Sequence, residues 1–255
     1  AVAGDYAYVA NHYPGLSVVD VSDPTNPTEV GDIETPGLAQ GVSVAGDYAY
    51  LADYDEGLRV VDVSNPANPR QAGFYDTPGY AYDVAVAGGY AYVADGDAGL
   101  RVVDVSTPSN PTEVGFCDTS GWTYGMDIAG DYVYIAAEND GLRVVNVSDP
   151  TDPREVGFYE TPGGWASDVT VVGNYAYVAD SDDPYVAGKE GGLRVVDVST
   201  PSNPIEVGFF EARTPTGPEG VAVAGNYAYL ADGSELGEVD ISDPANSTWV
   251  GSCYV

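Results

Sequence analysis

One histidine, one lysine and one methionine stand among the 255 residues, with two cysteines and five phenylalanines. Chemistry that rests on imidazole or amine groups has almost no material to work with. His12 is alone, Lys189 is alone, and no glycine-rich phosphate loop is present, so neither a nucleophilic triad nor a nucleotide site is supported. A lone histidine and two distant cysteines make a poor ligand set for a transition metal. No stretch approaches the roughly 18 unbroken apolar residues of a membrane span, so direct membrane insertion is not expected. The opening stretch AVAGDYAYVA has no basic flank and reads as strand. No signal peptide is therefore expected on this stretch; either one was removed, or the chain is a piece of something longer.

Positive charge is the other scarcity. Eight basic residues face forty acidic ones, a formal net charge of −32. Such a field repels nucleic acid and anionic membranes, which excludes both as expected partners. An acidic, lysine-poor surface suits high salt, where counterions screen the self-repulsion, and it equally suits a surface that collects calcium.

What the chain does hold is 32 glycines, 18 prolines and 21 tyrosines in a 44% hydrophobic composition. Glycine and proline with valine and tyrosine argue for many short strands and tight turns. The octapeptide GLRVVDVS stands at 57–64, returns at 99–106 and 192–199, and differs by one residue at 141–148. Its leucine recurs at Leu16, Leu58, Leu100, Leu142, Leu193 and Leu236. The glycine of AGDYAY recurs at Gly4, Gly46, Gly88, Gly130, Gly173 and Gly225. A third landmark is the proline of VSDP and its variants, from Pro24 to Pro244. The step between landmarks is about 42 residues until SDDPYVAGKEGG enlarges the fifth copy.

Each unit reads as four strands: in the third, DVAVAG, YAYVAD, GLRVVDVS and PTEVGFCDT. Glycine before an Asp or Asn marks a tight hairpin, and the two prolines of VSDPTNPTEV sit in a connection where they remove no ladder hydrogen bond. The pattern predicts an all-β, six-bladed β-propeller of four-stranded antiparallel blades, a single domain over 1–255. The expected blades are 1–36, 37–78, 79–120, 121–162, 163–214 and 215–255. Arg59, Arg101, Arg143 and Arg194 take one position in four blades, and structural ion pairs with an aspartate of the same or the neighbouring blade, such as Asp62, Asp104 or Asp197, are expected there. GLRVVDVSDPTNPTEVG together with VAVAGDYAYVADG resembles the LVIVD-repeat family of β-propellers, common in secreted and cell-surface proteins of bacteria and archaea. The resemblance covers all six units; only the sixth departs, losing the arginine and glycine of its third strand. It implies an extracellular or cell-surface location and an interaction role rather than one reaction.

Residues that the repeat does not require are the candidates for recognition. Connections between blades contribute Tyr80, Tyr82, Trp122, Tyr124 and Trp165, expected to form an arc at one mouth of a central channel. Acids in the loops between second and third strands, among them Asp53, Asp55, Asp95, Asp97 and Asp180, are expected on the same face. Rings inside an acidic rim suit a glycan, whose apolar faces stack on aromatics, and also suit a cationic or aromatic peptide. The alternative is that the rings plug the mouth and seal blade junctions. Asp83 and Asp168 share one inner-strand position and would be the acid–base pair of a carbohydrate-active enzyme. Asp53, Asp55, Asp95 and Asp97 in DYDEG and DGDAG are weak calcium candidates, without the later bidentate acid of an EF-hand loop. Asn146 and Asn246 head two glycosylation sequons. Cys117 and Cys253 share an outer-strand position and would bond to another subunit or partner if at all.

The sequence thus points to a non-enzymatic extracellular propeller that binds glycan or protein at the cell surface, with no cofactor beyond possible calcium. A carbohydrate-active enzyme and a self-assembling subunit of a surface layer or filament are the alternatives.

Overall fold

In the computed structural model, all residues are described except 163, 183–190, 213–216 and 255, and Asp182 by its backbone alone. The inserted stretch of the fifth repeat, with Asp183 and Lys189, lies largely outside the described residues. The protein is an all-β, six-bladed propeller of four-stranded antiparallel blades. Each sheet runs first–second–third–fourth strand in chain order. The sheets lie within Val2–Glu34, Gly41–Tyr75, Asp83–Cys117, Met126–Tyr159, Gly164–Glu211 and Gly220–Tyr254.

The second blade shows why the repeat folds this way. Its strands are Gly41–Ala45, Tyr48–Ala52, Leu58–Asp62 and Arg70–Tyr75. Ala45 pairs with Tyr48, so Gly46 and Asp47 form a two-residue hairpin loop. Gly46 has φ +59°, a left-handed conformation natural to glycine, and its five counterparts lie between +59° and +62°. In the third strand, Leu58, Val60 and Val61 are fully buried. Burying one such side chain contributes about 2 kcal/mol. The third strand ends in a turn closed by Asp62, whose carboxylate accepts the Ser64 N–H at 2.9 Å. The same turn recurs at Asp20, Asp104, Asn146, Asp197 and Asp240. These serine hydrogen bonds hold the five aspartates below the usual carboxylate range. In all six blades the third and fourth strands slip by one residue at a bulge, as between Val60 and Val61.

The expected arginine partners are therefore corrected. Asp62, Asp104 and Asp197 stand three residues after their arginines in the same strand, on the opposite face of the sheet, and serve the serine turn. The arginines reach back instead to acids that precede the strand, Asp53 and Asp95 in the loop and Asp180 within the strand Tyr175–Asp182. Arg59 Nε lies 3.5 Å from Asp53, Arg101 Nε 3.7 Å from Asp95, and Arg194 Nε 2.9 Å from Asp180. Each of the four guanidinium groups also covers a phenylalanine of the fourth strand, at 4.7 Å for Phe74, 4.9 Å for Phe116 and Phe158, and 3.6 Å for Phe209.

Contacts group the chain into two compact units, Ala1–Asp118 with Pro150–Asp152, and Thr119–Asp149 with Pro153–Val255. Within the first, Leu16, Val18, Ala49 and Leu51 pack between the first and second sheets. Leu58, Val60, Val84 and Val93 pack between the second and third. Within the second unit, Leu142, Val144, Val169 and Val178 fill one such junction, and Leu193, Val195, Val221 and Leu230 the next.

Glycine sets how closely these sheets approach. A Cβ on Gly73 would run into the carbonyl oxygen of Pro108 in the next blade. Gly31, Gly157 and Gly208 meet Pro66, Pro201 and Pro244 in the same way. In the sixth blade a Cβ on Gly251 would meet nothing within 4 Å, and Leu236 is 37% exposed where its five counterparts are fully buried.

Gly73→Ala is expected to cost about 3 kcal/mol, because a backbone carbonyl has to yield to the added methyl. Gly46→Ala, strained in φ but facing open space, is expected to cost about 1 kcal/mol. Urea denaturation of the two variants checks the order, and equal midpoints would contradict it.

Candidate binding platforms on the blade connections

The acids expected on an open rim divide into two kinds. Asp53, Asp95 and Asp180 are fully buried. Asp53 accepts the Thr35 hydroxyl at 2.6 Å and the Gly37 N–H at 3.0 Å, both from the preceding Thr-Pro-Gly connection. Asp95 does the same with Thr77 at 2.5 Å and Gly79 at 2.8 Å. Asp180 accepts the Trp165 N–H at 3.3 Å and holds Arg194. Burial pushes the Asp95 carboxyl up, opposed by the Thr77 and Gly79 hydrogen bonds and by Arg101. Asp53 and Asp95 latch the preceding connection to their own blade's arginine, whereas Asp180 ties Trp165 of its own blade's first strand to Arg194. Asp55 and Asp97, by contrast, are exposed. Among the described residues no cluster of three or more His, Cys, Asp or Glu side chains is placed to hold a metal ion.

Asp168 and Asp127 also join blades. Asp168 accepts the Val169 N–H at 2.8 Å with one oxygen and the Val221 N–H of the next blade at 2.9 Å with the other. Asp127 accepts Ile128 at 2.8 Å and Val171 of the next blade at 2.7 Å. Asp83 accepts the Val84 N–H at 2.8 Å, and a Cβ on Gly41 of the preceding blade would lie 2.5 Å from its carboxylate. Burial pushes the Asp168 carboxyl up to about 6, against its two amide hydrogen bonds and with the Asp127 carboxylate adding to the rise.

The expected aromatics fall into two groups, one in each compact unit. In the first, Tyr80 and Tyr82 lie on the connection between the second and third blades. Between them comes Ala81, which forms an antiparallel bridge with Tyr54. The Tyr54 ring stacks on Tyr80 at 4.7 Å and 23°, and meets Tyr82 edge-on at 5.5 Å. Tyr80 is 38% exposed. In the second unit, the same bridge joins Glu138 to Ala166. Trp165 there takes the place of Tyr80 and lies 6.4 Å from Tyr124. Trp122 is half-buried on the connection that carries Tyr124. Trp165 is not on a loop as expected: it pairs with Ser181 inside a nine-residue strand, Gly164–Val172, lengthened alongside the insertion-bearing hairpin.

Tyr54 was not singled out by the sequence reading, which took DYDEG as acids alone. Its signal is backbone strain. Tyr54 at φ +52° and Glu138 at +47° are the two non-glycine residues with positive φ among the described residues. The third and sixth blades place Gly96 (+56°) and Gly233 (+73°) there. A left-handed conformation costs a side-chain-bearing residue about 1 kcal/mol. Tyr54 and Glu138 thus carry side chains where glycine is the relaxed choice, and each bridges the residue that follows a connection aromatic, Ala81 after Tyr80 and Ala166 after Trp165.

The remaining candidates are peripheral to these platforms. Asn146 is half-buried in a third strand and accepts the Ser148 hydroxyl at 2.7 Å. Asn246 is exposed and donates to Asp243 at 2.8 Å. Cys117 and Cys253 occupy equivalent positions, opposite Leu100 and Leu236, with Cys253 exposed and Cys117 half-buried.

The LVIVD repeat model matches residues 1–35, 36–77, 78–119, 120–161, 163–183, 184–211 and 218–255. The chain belongs to the LVIVD-repeat family. Seven matches span six blades because the insertion divides the fifth repeat in two. No curated protein matches this LVIVD-repeat chain. Among solved structures, a functionally unknown protein from Desulfotomaculum acetoxidans superposes with a TM-score of 0.79 at 13% identity, over 98% of this chain and 80% of its own. A Bacteroides uniformis protein provisionally assigned as a 6-phosphogluconolactonase gives 0.77 at 13% identity, over 98% and 84%. The computationally designed Ika8 protein gives 0.71 at 10% identity, over 99% and 72%. At these identities the likeness is one of fold.

The raised Asp168 value makes a prediction with a definite sign. The folded LVIVD propeller holds that proton more tightly than the unfolded chain, whose carboxyl titrates near 4. This group therefore favours folding most below about pH 4, and its contribution is lost as pH rises through 6. Between pH 4 and pH 8 the stability of Asp168→Asn is expected to gain about 2 kcal/mol on the wild type, whatever the offset at pH 4. Chemical denaturation of both proteins at the two pH values measures this, and a constant difference would contradict it.

Proposed function

We propose that this LVIVD-repeat propeller is a non-enzymatic, extracellular binding module that recognises glycan chains through the two aromatic platforms. One observation carries the reading: Tyr54 and Glu138 hold strained backbones that a glycine would relax, each bridged to the residue that follows a ring the repeat does not require. Strain of this kind concentrates where a side chain serves recognition rather than folding. Stacked tyrosines offer flat apolar faces to the C–H face of a sugar, with phenolic hydroxyls at the edge for its hydroxyl groups. In the second unit Trp165 and Tyr124 supply the rings, with Glu138 bridged to the residue after Trp165. The net charge of −32 supports a neutral or cationic ligand over a nucleic acid or an anionic membrane. The cell-surface setting rests on the family resemblance and on this acidic composition.

Hydrolysis receives less support from the same geometry. Both oxygens of Asp168 are taken by backbone amides of two blades, which gives the carboxylate a structural task.

Tyr80→Ala is expected to weaken glycan binding about tenfold and to cost about 1 kcal/mol of stability, from the part of the ring that stacks on Tyr54. Glu138→Gly is expected to raise stability by about 1 kcal/mol and to reduce binding. Glycan-array screening followed by calorimetry on the strongest hit tests both. A Glu138→Gly protein that is more stable and binds undiminished would remove the argument from strain at that platform.

A further inference from the structure

The turn that joins third and fourth strands is nearly constant along the chain, and the sixth blade changes one residue of it. Asn26, Asn68, Asn110, Asn203 and Asn246 each donate their backbone N–H to the carbonyl three residues earlier, at 2.8 to 3.0 Å. The next residue is proline in five blades, Pro27, Pro69, Pro111, Pro153 and Pro204, and serine in the sixth, Ser247. The proline ring fixes φ and packs between blades. Pro111 Cδ lies 3.1 Å from where a Cβ on Gly73 of the preceding blade would stand, and Pro204 Cδ lies 3.1 Å from that of Gly157. Ser247 forgoes the ring and adds a hydroxyl that is buried without a hydrogen-bond partner. Such an orphaned group costs the fold free energy. A residue that breaks the rule of its repeat with no structural gain marks a position held for another purpose.

What the exchange adds is a working sequon. Asn26-Pro27-Thr28 and Asn110-Pro111-Thr112 place asparagine and threonine at the required spacing, but the proline between them bars N-glycosylation. Asn246-Ser247-Thr248 keeps the same pair and lifts the bar. Asn246 and Thr248 are both exposed, and the Asn246 amide nitrogen donates to Asp243 at 2.8 Å on the surface of the turn. The sequon at Asn146 is instead built into the fold. Asn146 is half-buried, and the hydroxyl of Ser148, the third residue of that sequon, donates to the Asn146 amide oxygen at 2.7 Å.

We infer that Asn246 is an N-glycan acceptor, modified by an oligosaccharide carried on a phosphate-linked polyprenyl lipid. In the transfer a bond forms between Asn246 Nδ2 and the anomeric carbon as that carbon's bond to the carrier phosphate breaks. The phosphate leaves with the electron pair, and the amide loses one proton to a carboxylate of the transferase. The second Nδ2 proton remains to donate to Asp243. The site shares only the extracellular setting with the binding reading and does not depend on the aromatic platforms.

The test secretes the full chain from a glycosylating eukaryotic host behind a cleavable export signal, so that export is supplied by the experiment. Intact mass before and after peptide N-glycosidase, with peptide mapping of the deamidated asparagines, reads the occupancy of each site. Asn246 is expected to carry a glycan in most of the secreted chain. Ser247→Pro restores the residue of the other five blades and is expected to lower that occupancy at least about tenfold. After glycosidase treatment of both proteins, Ser247→Pro is also expected to unfold about 2 °C higher than the wild type. An unmodified Asn246 in the secreted, folded chain overturns the inference. A Ser247→Pro protein less stable than the wild type overturns it as well, because Ser247 would then have a structural task.

Discussion

The closeness of adjacent blades is the constraint from which most of the sequence follows. A proline carbonyl of one blade lies where a side chain on the preceding blade's fourth strand would have to begin. Only glycine fits, and once the backbones are that close the buried polar groups between them need partners. The Asp–Thr–Gly latch provides these partners, and the arginine neutralises the aspartate that the latch buries. Removing one member of such a group leaves a buried charge uncompensated, which is far more damaging than never having had the pair. Aspartate and arginine occur together in the second, third and fifth blades and are both absent from the first. The fourth pairs Arg143 with Asp140 and Glu155 and has Ala137 at the aspartate position, and the sixth keeps Asp232 without the arginine.

Function then belongs to positions released from this constraint. Tyr54, Tyr80 and Tyr82 form one ring cluster, and Glu138, Tyr124 and Trp165 form its counterpart on the same bridge geometry. The sixth blade is released in another way. Gly237 and Trp249 stand there in place of the arginine and the glutamate, and the Trp249 ring lies over Gly237, where the arginine side chain of the other blades begins.

The sequence reading of the acids illustrates how far residue type alone can go. Forty acidic residues made a rim of carboxylates easy to imagine, yet Asp53, Asp95 and Asp180 are interior groups and Asp168 ties two strands by their amides. Exposure is a property of the folded arrangement, and an Asp in DYDEG looks the same in sequence whether it points outward or inward. The arginine partners were misassigned because chain proximity favoured Asp62, while strand alternation sends its side chain to the other face.

Spacing alone determined the blades, their four strands, the hairpin glycines and the equivalence of Cys117 with Cys253, because a strand's period and a turn's φ are local and the repeat states them six times. It also isolated Tyr80, Tyr82, Trp122, Tyr124 and Trp165 by subtraction. Tertiary structure decided which of these rings touch, drew in Tyr54, buried the aspartates and laid Trp249 over Gly237. Those outcomes depend on distances between residues far apart in the chain, which local periodicity does not encode.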